Sequence, residues 1–255
     1  YHKVTQDWIL CGDGAADLIF GLAFALKPKK ALLLAPSFLE YEQALKAVDC
    51  DIDLFYLKEE NGYRLDVEEL CKTLERANAT YNTTAVGCSD QQKSTSEANN
   101  GYDILFLCNP NNPTGQLTAL PLVEQILHRC AACGTLLVVD ECFLDFLPDH
   151  ALHTAKGLLG EGNLVILKAF TKLYGMAGVR LGYCLCGDEA LLEKMQTAGQ
   201  PWAVSSLAQA AGVAALKETA YVDEVRALIA RQRPVLTAGL RALGLRVIDG
   251  KANYL

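Results

Sequence analysis

The chain has 255 residues, 51% of them hydrophobic and 21% charged, with 20 glycines and a mean hydropathy of +0.14; that much apolar material builds a large core and excludes disorder, collagen and coiled coil. The net charge of −7, from 23 Lys and Arg against 30 Asp and Glu, with no basic run beyond Lys27-Pro28-Lys29-Lys30, argues against a nucleic-acid partner. The apolar stretches 18–26 and 31–39 are nine residues each, against the roughly 17–25 of a spanning helix, so no membrane segment is expected.

Apolar periodicity alternates between strand and helix along the chain. Residues 8–11 predict a short strand, 14–26 a helix, 31–35 a buried strand, 38–48 a helix and 52–57 a strand. A helix over 65–77 follows, with Asp66, Glu68 and Glu69 in its first turn, where the helix dipole favours anions. Of the 23 residues from 78 to 100, 13 are Ser, Thr, Asn or Gln, and with so little to bury we expect a mobile surface insertion. Order resumes with strand 104–108, a Pro/Asn/Gly turn, helix 119–133 closed by Gly134, and strand 135–139 running into Asp140. Strands 164–168 and 181–186 and helices 189–197 and 206–217 complete an α/β pattern: three αβα layers around a mainly parallel sheet. From 220 to 243 a helical pattern interrupted at Pro234 gives way to a predicted strand at 245–248. We therefore expect a large domain over 1–218, then a connector helix and the start of a small α+β domain over 219–255. Tyr1-His2-Lys3-Val4 has no initiator Met and Asn253-Tyr254-Leu255 stops in an apolar run, so both ends are expected to be cut.

Ten cysteines are scattered through the chain, several in strand-like runs where a thiol packs as a small hydrophobe. A chain with a full core needs no disulfide framework, which points to a reducing cytoplasm. Cys130-Ala-Ala-Cys133 has a zinc-like spacing but falls at a helix end, Cys184-Leu-Cys186 lacks the two-residue spacing, and His150 and His153 lie near the loop after Pro148, so no metal is expected. Asn78-Ala-Thr80 and Asn82-Thr-Thr84 match glycosylation acceptors, but nothing else suggests secretion.

In parallel sheets, chemistry sits beyond the carboxyl ends of strands. Gly12-Asp13-Gly14-Ala15-Ala16 opens a helix there, offering free N–H groups to an anion. Asn109-Pro110-Asn111-Asn112-Pro113-Thr114-Gly115 is a rigid loop whose prolines explain a turn but not its three amides. Asp140-Glu141 ends an apolar run, so a carboxylate there is either paired with a cation or solvated in a cleft. Thr171-Lys172 offers an amine nucleophile toward a carbonyl, and Arg180, eight residues after Lys172, a planar fork for phosphate. Lysine, ring-nitrogen acid, amide donor and phosphate cup are the set that pyridoxal 5′-phosphate requires.

Asn111-Asn112-Pro113-Thr114-Gly115, Asp140-Glu141-x-Phe143 and Thr171-Lys172-x7-Arg180-x-Gly182 together resemble the fold-type I pyridoxal-phosphate enzymes of aminotransferase class I/II, over nearly the whole chain apart from 78–100. The resemblance implies the following roles. Lys172 would be the Schiff-base lysine and proton shuttle, and Asp140 the partner of the pyridine nitrogen. Asn112 would donate to the ring hydroxyl, while Gly14, Ala15 and Ala16 amides, Thr171 and Arg180 would hold the phosphate. Phe38 would stack on the ring, its alternative being ordinary core. It also implies a homodimer for the full-length protein and a small phosphorylated amino acid as substrate. Within the family the chain looks like two related groups, the L-threonine O-3-phosphate decarboxylases of cobalamin biosynthesis and the histidinol-phosphate aminotransferases. Segments such as Phe143-Leu-Asp-Phe146-Leu-Pro148 and Pro201-Trp202-Ala-Val204 look more like the first. A pyridoxal-phosphate-binding sensor domain of a transcription regulator is the non-enzymatic alternative. Two departures stand out: Phe143 replaces a tyrosine that would donate to the ring hydroxyl, and Ala169 replaces a hydroxyl residue near the phosphate, which implies either a somewhat weaker phosphate affinity or compensation by Lys168.

Overall fold

The structure, a computed structural model, describes residues 2–84 and 101–255. Strands β1 (Ile9–Gly12), β2 (Lys30–Ala35), β3 (Asp51–Tyr56), β4 (Ile104–Cys108), β5 (Leu136–Asp140), β6 (Leu164–Ala169) and β7 (Gly182–Cys186) form one sheet in the order β1-β7-β6-β5-β4-β2-β3. The helices are α1 (Gly14–Leu26), α2 (Leu39–Lys46), α3 (Val67–Thr84), α4 (Leu120–Cys133), α5 (Glu189–Ala198), α6 (Ser206–Ala215) and α7 (Thr219–Ala242).

The central strands are almost wholly buried because both faces of the sheet are covered. Ile104, Phe106, Val138, Val165 and Leu167 enter a core shared with α1, α2 and α5, whereas Leu105, Leu107, Leu137, Val139 and Ile166 enter one shared with α3 and α4. That alternation is the two-residue period of a pleated strand, and it yields the three αβα layers the sequence predicts. The edge strand β3 is largely exposed and carries Asp51 and Asp53, the latter paired with Lys30 at 3.0 Å; charge on an edge discourages further pairing.

Neighbours from β3 to β6 run parallel, and β7 is antiparallel to both β6 and β1. Hence β1 ends at the same edge as β6, and every loop predicted to carry chemistry leaves that edge. The chain goes from β2 outward to β3 and returns to β4 on the other side of β2, so the exits of β2 and β4 diverge. Such a reversal opens a crevice at the carboxyl ends of the strands.

Three local expectations need correction. Helix α3 runs on to Thr84, past the predicted end at Ala77, because a formed helix propagates through polar residues at little cost per residue; residues 85–100 of the expected insertion lie outside the described residues. Helix α7 continues unbroken through Pro234, which removes one rung without ending it. Residues 245–248 form no strand: among the described residues no neighbour offers them a ladder. Among the described residues, too, no helix is long and apolar enough to cross a membrane.

Candidate active site

The asparagine loop after β4 is fastened by two of its three amides. Asn109 donates to Thr118 O (2.9 Å) and accepts from Thr118 N (2.8 Å). Asn111 donates to Pro36 O (3.0 Å) and Thr114 Oγ1 (2.9 Å) and accepts from Ser37 Oγ (3.0 Å), tying the loop to the exit of β2. Asn112 is the amide left to line the crevice. The cluster thus divides into two structural amides and one that faces the cavity.

The acid pair at the end of β5 divides likewise. Asp140 is buried yet lines the crevice, its Oδ2 accepting from Tyr41 Oη (2.6 Å) and its Oδ1 from Cys142 N (2.9 Å). Burial, with the Asp140 charge adding to it, holds the Tyr41 hydroxyl well above its usual pKa, so Tyr41 stays a donor to that carboxylate. Glu141 turns away to Lys168 Nζ (3.0 Å), Thr154 Oγ1 (2.8 Å) and Ala155 N (2.7 Å).

Lys168 therefore does not compensate for Ala169. The alternation along β6 sends Ala169 to the crevice and Lys168 into the interior, 3% exposed, where it also pairs with Asp145 at 2.9 Å. Burial alone would lower its pKa, but Glu141 and Asp145 outweigh that and hold the ammonium charged.

At the opposite end the first turn of α1 meets Arg180. Gly14 has φ +81°, and a Cβ there would lie 2.7 Å from Arg180 Nη2, so only glycine fits. A Cβ at Gly182 would lie 2.5 Å from Ala15 N, so β7 also presses on this turn. Arg180 donates to Asp13 O (3.1 Å), which lays its guanidinium across the turn whose N–H groups have no intrahelical acceptor.

Between these walls lies a cavity of about 250 Å³. Ala15, Ala16, Phe38, Asn112, Asp140, Thr171, Lys172 and Arg180 all line it, from five separate loops, and Gly14 backs it. Lys172 Nζ stands 5.7 Å from the centre of the Phe143 ring. Phe143 and Ala169, the two departures, also face the cavity, as do Glu40 and Cys142, which sequence reasoning passed over. Tyr41 was missed too; the signal for both Glu40 and Tyr41 was their place on the first turns of the helix after Phe38. The set fits pyridoxal 5′-phosphate: an anion cradle closed to any Cβ, a buried carboxylate at the far end, an amide at the side and a lysine amine. None of the residues weighed as metal ligands lines this cavity: the described cysteines are free thiols, and the His/carboxylate group with converging ligand atoms, Glu124, His128 and Glu161, lies elsewhere.

A family model described as aminotransferase class I and II matches residues 1–255. Threonine-phosphate decarboxylase of Salmonella typhimurium is 33% identical over 259 residues, covering 100% of this chain and 63% of that protein. Histidinol-phosphate aminotransferase of Symbiobacterium thermophilum is 31% identical over 256 residues, covering 99% and 62%. The crystal structure of histidinol-phosphate aminotransferase from Clostridium acetobutylicum superposes with a TM-score of 0.80 at 26% identity, over 99% of this chain and 67% of that one. The chain thus spans about 63% of the length of the first of these curated relatives.

Proposed function

The chain belongs to the aminotransferase class I and II family, and on that footing we propose that it is the cofactor-binding part of a pyridoxal-phosphate enzyme that decarboxylates a phosphorylated amino acid, L-threonine O-3-phosphate. The observation that carries this is the convergence of Lys172, Asp140, Asn112, Thr171 and Arg180 on one cavity. The choice of member rests on the likeness to the Salmonella protein over the whole chain. Transamination of histidinol phosphate is the second reading, favoured by the likeness to the Symbiobacterium protein.

Pyridoxal phosphate is the cofactor, and when bound it supplies a sink for the electron pair left on the substrate Cα. The chain's own residues do the rest. Asp140, held by Tyr41 and Cys142 N, keeps a proton on the ring nitrogen. Asn112 orients the ring through its hydroxyl, and Phe38 excludes water from one face. Arg180, Thr171 and the amides of Gly14, Ala15 and Ala16 bind the phosphate. Lys172 holds the cofactor and moves a proton at Cα. In the decarboxylation the bond from Cα to the carboxylate breaks, CO2 leaves, and Lys172 returns a proton to Cα. The working form is read as a cytoplasmic homodimer, and the exposed Trp202, Leu207 and Val213 around α6 suit an interface between copies.

The test is the full-length protein supplied with pyridoxal phosphate. L-threonine O-3-phosphate should release CO2, while histidinol phosphate with 2-oxoglutarate should yield no glutamate. Glutamate without CO2 would replace the first reading by the second. Lys172→Ala should abolish the visible Schiff-base absorbance; if the native protein never shows that band, the cofactor role of this cavity is wrong.

A further inference from the structure

The last described residues close over the asparagine loop. Lys251 N donates to Gly115 O (2.6 Å) and Gln116 Nε2 to Asp249 O (2.8 Å). Gly115 and Gly250 pass so close that a Cβ on Gly250 would lie 2.7 Å from the Gly115 backbone. Beyond this contact, Tyr254 sets its ring edge-on against Phe143, with centroids 5.1 Å apart and planes at 85°. Its hydroxyl donates to Asn111 O at 2.9 Å, as a second donor beside Gly115 N, which reaches the same oxygen at 2.6 Å. The same peptide is held from its other side, where Asn112 N donates to Cys108 Sγ at 3.4 Å. A peptide plane fixed at both its carbonyl and its N–H cannot rotate, and its rotation is what would swing the Asn112 side chain out of the cavity.

We propose that Tyr254 is a positioning residue of the cofactor site, fixing the peptide between Asn111 and Asn112 and thereby aiming the Asn112 amide at the cofactor's ring hydroxyl. The proposal rests on the cofactor reading above and extends it to a residue 143 positions away in sequence. Burial keeps the Tyr254 hydroxyl protonated and so a donor throughout the working pH range.

The test uses full-length protein and pyridoxal phosphate, with cofactor affinity read by fluorescence quenching and the Schiff base by its visible absorbance across pH. Tyr254→Phe keeps the ring on Phe143 and removes only the hydroxyl, so the thermal midpoint should hardly move. Cofactor affinity should fall about fivefold, the size of one hydrogen bond. The pH midpoint of the absorbance should shift in the same direction as in Asn112→Ala. If Tyr254 acts through Asn112, Tyr254→Phe made on top of Asn112→Ala should cost nothing more. Unchanged affinity and midpoint in Tyr254→Phe, or losses that add in the double variant, would overturn the proposal. Absence of Schiff-base absorbance in the native protein is a different failure: it would overturn the cofactor reading, and the proposal with it.

Discussion

Asp140 and Glu141 are adjacent in the chain and face different surroundings, and the division of labour at the site starts there. Asp140 ends β5 with its carboxylate in the cavity and two donors behind it, whereas Glu141 is committed to Lys168. In the role proposed for Asp140, Asp140→Asn keeps the shape but removes the charge that would face the ring nitrogen; turnover should fall by about 100-fold or more, with the fold intact by circular dichroism. Tyr41→Phe removes the donor to Oδ2 and should cost about 1–2 kcal/mol in urea unfolding, because the carboxylate it leaves is buried. At the phosphate end, Gly14→Ala meets both a left-handed backbone and the Arg180 guanidinium. The backbone term, about 1–2 kcal/mol, should appear as lost stability in urea unfolding, while displacement of the guanidinium should weaken cofactor binding and affect a phosphate-free pyridoxal analogue far less.

Elements bring these residues together by their exits rather than their interiors. The ion cluster of Lys168 with Glu141 and Asp145 ties β6 to the short helical turn Leu144–Phe146 that follows β5, on the side away from the cavity. Lys168→Met would leave a buried carboxylate without its cation, a loss of about 3–5 kcal/mol. Adding Glu141→Gln should recover part of it in urea titrations, whereas full recovery is not expected because Asp145 keeps its charge. Most element positions were legible because apolar periodicity is local: α1 and β4 match their predicted limits. The misses share a cause. Residues 245–248 have strand-like composition, but a strand exists only with a partner, and composition does not supply one. The polar end of α3 has the composition of a loop, yet a helix already nucleated continues through it.

At the scale of the whole molecule, α7 is joined to the site by a small apolar cluster, Val222, Val225 and Ile229 on Phe143, Phe146 and Leu173. Arg226 adds hydrogen bonds to Asp145 O at 2.8 and 3.1 Å. Arg226→Ala should raise amide hydrogen exchange in the first half of α7 and in the turn 144–146 together, leaving β4 to β6 protected. The amino-acid sequence by itself determined the order of strands and helices, the three-layer architecture and the cofactor class, since periodicity and motif order are written in neighbouring residues. The motif resemblance already named Asp140, Asn112 and Lys172; only the tertiary structure decided where their neighbours Glu141, Asn109, Asn111 and Lys168 are committed instead. Those choices depend on strand register and on partners such as Tyr41 and Asp140, 99 residues apart, or Tyr254 and Asn111, 143 apart. A side chain's direction is fixed by what packs around it, and the packing exists only once the chain has folded.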